Sequence, residues 1–434
     1  MSNRNIAMPT APSNLEAQAY KKVTMRLVPF LVLSYLIAWL DRVNVGFAKL
    51  QMSADLGFSE AVYGLGAGLF FISYFLVEIP SNVLLHRLGA RLWMARIMIS
   101  WGIISAAMMF AKTPFTFYVL RLLLGIAEAG FYPGVILYLT YWYPSYRRGK
   151  ILTIFALGAP LSGLIGAPIS GWIMQNFNGV HNLAGWQWLF LLEGIPSIFI
   201  GCAAFFILTD RISHAKWLST QEKDLLTQRI QEDSAHKLPF SFRAALTNGR
   251  VWFLTLIYFC LIMGFYTVGF WLPTIIQSTG IKDPLHIGLL TAIPYLAAMI
   301  ALPLFGYSAD KHRERRWHLV AACMMGGLGL ITSVVWSHSP VITICGMTIA
   351  AMGVMSSLPL FWSLPTSFLG GIAAAAGIGL INSCGNLGGF VSPYVIGFIK
   401  DLTHSMDIGL CVMASMLFIA ALLTLMVPAK LVNR

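Results

Sequence analysis

Apolar residues in this chain come in long unbroken blocks, not in the alternation of a half-buried strand or the stripe of a surface helix. A helix needs about 20 mostly apolar residues to cross a bilayer. Twelve blocks qualify: 28–48, 61–85, 93–111, 115–140, 150–174, 188–209, 251–275, 286–307, 318–337, 341–363, 370–399 and 408–427. The polar segments between them are short, except for residues 210–250. That stretch contains WLSTQEKDLLTQRIQED, with Ser219 and Glu222 at capping-box spacing. It reads as a linker carrying one amphipathic surface helix between two six-helix halves. The pattern predicts an all-α membrane protein of twelve transmembrane helices in two pseudo-symmetric halves. The expected parts are a tail (1–27), an N-terminal bundle (28–209), the linker (210–250), a C-terminal bundle (251–427) and a second tail (428–434).

Composition excludes the soluble alternatives. Only 11% of the 434 residues are charged, while 57% are hydrophobic. A soluble domain carries about 25% charge. The charge present could not cover a water-facing surface of this size, and such a chain is too apolar to be disordered. The net charge of +12 raises the question of nucleic acid, but Lys and Arg sit in short clusters between apolar blocks rather than along one face. That arrangement encodes topology. Placing both termini in the cytoplasm leaves only Lys49, Lys112, Lys282 and Lys400 in outer segments and Arg42 and Arg121 within spans. All other basic residues then fall inside. The expected location is a bacterial inner membrane, with lipid as the main partner, no nucleic acid, and a monomer as the working unit. The six cysteines lie in apolar blocks without CxxC spacing, so neither disulfides nor metal are expected. Residues 1–20 are polar, and no cleavable signal peptide is expected.

The two halves repeat each other. HRLGARLWMAR (86–96) follows the second block and GYSADKHRERR (306–316) the eighth; both are short, basic and contain glycine. GAPLSGLIGAPISG (158–171) in the fifth block and GIGLINSCGNLGGFVSPYVIG (377–397) in the eleventh are both glycine-rich with an interior proline. Small residues let helices approach closely in lipid, and interior proline bends them.

Ionisable residues inside the apolar blocks are costly and ask for a reason. They are Asp41, Arg42, Glu78, Arg121, Glu128 and Glu193, all in the first half. Asp41 and Arg42 are neighbours and point about 100° apart on a helix, so they need not pair with each other. Arg121, Gly125 and Glu128 share one helix face. An Arg fork suits a carboxylate ligand. A buried carboxylate balanced between desolvation and a nearby Arg can take up and release a proton. Glu78 precedes Pro80, and Glu193 lies near Trp186 and Trp188; both read first as structural or gating residues. Asn382 and Asn386 are four apart and share a face; with Tyr266 and Trp362 they are candidates to complete a substrate pocket. No cofactor is implied, and HExxH, GxSxG and nucleotide-binding loops are absent from any sensible context.

With these residues in view, the chain resembles the major facilitator superfamily. The segment Gly306-x-x-x-Asp310-Lys311, with Arg313 and Arg315, is close to that superfamily's loop signature. The first copy departs from it, with Asn82 and His86 where Gly and Asp are usual. LDRVNVGFA (40–48), FFISYFLVEIPSN (70–82), RLLLGIAEAGFYPG (121–134) and WQWLFLLEGIPS (186–197) are similar to the anion:cation symporter branch. The nearest resemblance there is to bacterial permeases for tartrate, sugar acids and hydroxyphenylacetate-type acids. The resemblance implies proton-coupled import of a small organic anion by alternating access. It implies that Arg42 and Arg121 hold the anion, that Asp41 and Glu128 carry the proton, and that Tyr74 faces the substrate. It also implies that Arg87, Arg91, Asp310 and Lys311 belong to the inner gate. Proton-driven export of a metabolite and a sensor built on a transporter fold are the competing readings.

The charge pattern makes one direct forecast. In a background without the native cysteines, Ser234→Cys in the linker should resist impermeant thiol reagents in intact cells and react in inverted vesicles. Labelling from outside would reverse the topology.

Overall fold

A polar backbone in lipid must satisfy its hydrogen bonds within each segment, which leaves the helix as the natural spanning element here. The computed structural model describes residues 14–234, 246–368 and 372–429, and among these every regular element is helical. The first three spans are Asn14–Leu56, Glu60–Leu88 and Ala90–Phe110. The fourth is Pro114–Glu128 continued by Phe131–Thr140, the fifth Ser145–Ala156 continued by Gly158–Asn176, and the sixth Gly185–Ile207. The linker helix, Thr220–Ser234, follows. Spans seven to ten are Gly249–Ser278, Pro284–His312, Arg315–Val335 and Pro340–Phe368. The eleventh is Ile372–Gly385 continued by Gly388–Thr403, and the twelfth is Asp407–Met426. The outer parts of both expected tails and the middle of the linker lie outside the described residues.

The breaks have local causes. In the fourth span Gly130 is left-handed, with φ +88°. The Ser81 hydroxyl donates to the freed Ala129 carbonyl at 2.6 Å. A Cβ at position 130 would lie 2.3 Å from that hydroxyl, so glycine is required. The fifth span breaks just before Gly158-Ala159-Pro160, and the eleventh just before Gly388-Gly389. These are equivalent spans of the two halves, and both break where the sequence is glycine-rich.

The first span departs from expectation. Its 43 residues make a helix about 65 Å long, roughly twice the hydrocarbon thickness. Residues 14–27, read from sequence as tail, continue that helix out of the bundle and meet the linker. Glu16 pairs with Arg147 at 3.2 Å and with Arg229 at 3.0 Å, and Lys22 pairs with Glu222 at 2.7 Å. Glu222 also caps its own helix: the Ser219 amide donates to it at 2.8 Å, and its own amide donates to the Ser219 hydroxyl at 3.3 Å. The Lys22 hydrogen bond holds the Glu222 carboxyl below the usual carboxylate range. This contact therefore persists at neutral pH and is lost only as the pH falls below that range. We call this side of the protein the linker face.

Within the N-terminal half the third span packs on the sixth, the second on the fourth, and the first on the fifth and sixth. Within the C-terminal half the ninth packs on the tenth and twelfth, and the seventh on the tenth, eleventh and twelfth. The halves meet through three crossings: fifth on eighth, second on eleventh, and first on seventh. Two of these are backbone-to-backbone. A Cβ at Gly171 would lie 2.3 Å from the Pro284 carbonyl oxygen, and one at Gly288 would lie 2.4 Å from that of Ala167. The second and eleventh spans approach as closely, through Gly64 against Pro393 and Gly397 against Glu60.

All four contacts lie on the side away from the linker helix, and an ion network seals the same side. Glu60 pairs with Lys49 at 2.7 Å and with Lys400 at 2.8 Å. The Glu60 and Ala61 amides donate to Asp401 at 2.9 and 2.8 Å. Lys49, expected in an outer segment, is buried beneath this network and lies over the Tyr63 and Trp271 rings. The structure is closed at the far face.

The close approach of the fifth and eighth spans needs glycine at position 171. Gly171→Val should hold the far face open. An engineered Thr274→Cys beneath the ion network should then react with impermeant reagents from the far face at least ten times faster than in the Gly171 protein. Equal rates would show that the fifth–eighth crossing does not control this face.

Candidate functional site

The centre of the interface is organised by Arg42. Its guanidinium donates to the Glu128 carboxylate, forming an ion pair within the N-terminal half. Its other terminal nitrogen donates to the Tyr266 hydroxyl of the opposite half at 3.0 Å. Three aromatic rings surround the charge: Phe70 at 5.1 Å, and Trp39 and Tyr74 at 5.5 Å. Cation–π contacts of this kind supply about 0.5–2 kcal/mol each, more when water is excluded. Tyr266 in turn lies among Trp39, Phe71 and Phe270. Glu128 is 1% exposed, and Arg42 is mostly buried. The structure thus brings together Arg42, Glu128, Tyr74 and Tyr266.

Asp41 turns away from this group. It is 1% exposed and accepts from Trp101 Nε1 and the Ser105 hydroxyl, both at 2.9 Å, and from the Ser197 hydroxyl. Adjacent residues on one helix thus serve two environments: Arg42 faces the other half, and Asp41 faces the third and sixth spans. Three donors thus satisfy both oxygens of this buried carboxyl.

Arg121 is fully buried but does not meet Glu128 directly. Its Nε donates to the Gly66 carbonyl at 3.1 Å and Nη2 to the Ala67 carbonyl at 3.2 Å, both on the second span. Nη1 is buried with no partner. Gly125, one turn further on, allows the approach: a Cβ there would lie 2.2 Å from the Phe70 carbonyl oxygen.

Asn382 and Asn386 do not act as a pair. The Asn382 amide donates to Glu78 Oε1 at 3.0 Å, and the Ser383 hydroxyl donates to Glu78 Oε2 at 2.8 Å. Glu78 is 4% exposed and is thereby bonded across the halves, on the linker side of Arg42. Asn386 stands at the break in the eleventh span. Trp362 packs on Tyr258 and Phe361, apart from the Arg42 group.

On the linker face, Arg87, Arg91, Asp310 and Lys311 are exposed. Asp310 lies 3.5 Å from Arg315 of its own loop. The first loop lacks the equivalent Asp; Asp210, from beyond the sixth span, accepts from the Arg91 amide at 2.8 Å and sits against Gly89 of that loop. Sequence reasoning missed Asp210 because it arrives from beyond the sixth span. It also missed the Lys49–Glu60–Lys400–Asp401 network, whose members each sit at the end of an apolar block and read as ordinary loop charges.

The sequence profile of the Major Facilitator Superfamily matches residues 31–393. NicT of Pseudomonas putida, provisionally named a metabolite transport protein, is 50% identical over 96% of this chain and 95% of its own. A protein of Agrobacterium vitis, provisionally named a tartrate transporter, is 47% identical over 95% of this chain and 92% of its own. A quinolone resistance transporter of Acinetobacter baumannii is 42% identical over 96% of each chain. Among solved structures, the xylose transporter XylE of E. coli, in a partially occluded inward-open conformation, superposes with a TM-score of 0.75. It covers 94% of this chain and 98% of its own at 15% identity, which speaks to the fold alone. Two six-helix halves meeting at a central buried charge, together with a match spanning nearly every helix, establish that this chain belongs to the Major Facilitator Superfamily of transporters.

Proposed function

We propose that this transporter imports a small organic acid together with protons across a bacterial inner membrane, with the linker face and both termini in the cytoplasm. The observation that carries the reading is the Arg42 guanidinium, shared between Glu128 of its own half and Tyr266 of the other. A substrate carboxylate arriving at the interface competes with Glu128 for that guanidinium. Displacing an ionised Glu128 leaves a buried, unpaired charge, which costs about 3–5 kcal/mol. A proton on Glu128 removes the cost. At 1.4 kcal/mol per factor of ten, that is roughly two to three and a half decades of coupling between anion and proton. Arg121 Nη1, buried and without a partner, supports a second anion contact on the same side. Tyr74 and Tyr266 supply aromatic walls and hydroxyls for a hydroxylated acid. The provisional naming of a 47% identical relative for tartrate supports this substrate class. The Lys and Arg distribution supports the orientation.

In this reading Glu78, bonded to Asn382 and Ser383, closes the inner side beneath the substrate. The exposed loop residues Arg87, Arg91, Asp310 and Lys311 rearrange around it as the halves rock. The relative named for quinolone resistance favours a second reading, proton-driven export. Direction is settled by right-side-out vesicles energised with an inward proton gradient. Accumulation of tartrate or a sugar acid supports import, and accelerated loss of preloaded acid supports export.

Two variants test the site. Arg42→Lys keeps the charge but loses the fork that reaches Glu128 and Tyr266 together. Substrate binding in detergent should weaken at least tenfold; unchanged binding would remove Arg42 from the anion site. Glu128→Gln mimics the protonated carboxyl permanently. It should lose accumulation driven by a pH gradient while retaining exchange of internal for external substrate, because exchange needs no empty-carrier return. Gradient-driven accumulation at the native level would leave Glu128 a packing role only.

A further inference from the structure

Away from Arg42, the two halves enclose a small space whose wall is mostly apolar, with a few polar groups set into it. It measures ≈ 10 Å³, room for about one water. Asn44 of the first span, Ser162 and Ser170 of the fifth, and Thr291 and Tyr295 of the eighth line it. Asn44 is 1% exposed, and no partner stands within normal hydrogen-bond distance of its oxygen or nitrogen, although its side chain lies near enough to Glu193 to act on that carboxyl. The Ser162 hydroxyl is fully buried and equally unpartnered. Buried polar groups in native proteins are nearly always satisfied by protein or ordered water. Two unsatisfied side chains around a water-sized space therefore point to an occupant.

Behind this wall stands Glu193 of the sixth span, 2% exposed. Its Oε1 accepts from the Ser170 hydroxyl at 2.6 Å, while Oε2 is buried without a partner. The groups acting on it from the packed spans are Ser170, Asn44 and Asp41, and none is cationic. Among the described residues no Lys, Arg or His forms an ion pair with it. A buried carboxylate with one close donor and no cation is costly to leave charged, and a proton relieves that cost. Asp41, held by three donors, contrasts with it. The Ser197 hydroxyl that Asp41 accepts belongs to the residue one turn along the sixth span from Glu193, toward the linker face.

We propose that Glu193 is a second proton-carrying carboxylate, served by one water held between Asn44 and Ser162. The site is closed by the fifth–eighth crossing, at Gly163 against Tyr295 and Gly171 against Pro284. When that crossing parts, the space opens to far-face water, and a proton joins Glu193 Oε2. When it closes, the proton is enclosed. It leaves toward Asp41, the neighbouring carboxylate on the linker side, which releases it in turn. No other bond forms or breaks.

This inference rests on the proton-coupled reading above. Its test is the equilibrium accumulation ratio of tartrate or another transported acid in liposomes, with the membrane potential clamped at zero and a gradient of one pH unit. Each coupled proton contributes a factor of ten per unit. Glu193→Gln should lower the ratio about tenfold relative to wild type while counterflow persists. An unchanged ratio overturns the proposal. A ratio that follows an imposed sodium gradient instead also overturns it, since the carboxylate would then hold sodium. If wild type itself ignores the pH gradient, the coupling reading fails rather than this site alone. Should Glu193→Gln fail to fold, Ser162→Val displaces the water and keeps the carboxylate. It should slow gradient-driven uptake at least fivefold without changing counterflow, and equal slowing of both would mark a packing role only.

Discussion

Arg42 holds a full positive charge in a mostly buried place, and the central architecture follows from keeping that charge partnered. A guanidinium cannot shed its proton in a protein, so it must always find acceptors. Glu128 supplies one from the same half, and Tyr266 supplies one from the other. The rings of Trp39, Phe70 and Tyr74 cover the remaining surface of the cation. On the proposed reading the substrate takes the place of Glu128, and an organic anion is an acceptor of comparable strength where a neutral solute is not.

The two halves divide the electrostatic work unequally. Among the described residues, buried ion pairing in the membrane centre is confined to the N-terminal half. The C-terminal half presents Tyr266, Asn382 and Ser383, which are neutral donors and acceptors. Neutral hydrogen bonds contribute about 0.5–1.5 kcal/mol each, and those to a charged group about 1.5–3. An interface built from them can separate without stranding a charge on the moving half. Charged contacts between the halves, Glu60 with Lys400 and Asp401 with the second span's first amides, sit at the far-face end. There water enters as they part and takes over their solvation. The partition of charge thus permits rocking where a uniformly ion-paired interface would lock.

Much of this was legible in sequence because lipid simplifies the rules. Block length gives the spans, Lys and Arg placement suggests a topology, and a charge inside an apolar block marks the centre. Arg42 and Glu128 stood out for that reason. Paired glycine-rich segments in the fifth and eleventh spans marked the helices that break. What periodicity does not carry is partner choice across the fold. Arg121 shares a helix face with Glu128, yet it bonds the Gly66 and Ala67 carbonyls, because Gly125 lets the second span come close enough. The spacing of Asn382 and Asn386 gave no sign that the Asn382 amide bonds Glu78, 304 residues away. The helical extension at residues 14–27 escaped notice because its stabilisation comes from the linker rather than from an apolar block.

The two gates are built from different materials, and that difference bears on which one yields first. The far face is held by backbone-to-backbone approach at two helix crossings and by a four-residue charge network, spread over the whole end of the interface. The linker side has Glu78, with one amide and one hydroxyl donating to it across the halves. Parting the far face must undo close packing along two helices at once, including dispersion contacts that fall off steeply with distance. Parting the linker side exchanges two hydrogen bonds for bonds to water, and leaves Glu78 better solvated than before. With no substrate present, the easier motion from this closed state is therefore opening toward the linker face. On the proposed orientation that is the cytoplasmic side, where an importer must release its cargo.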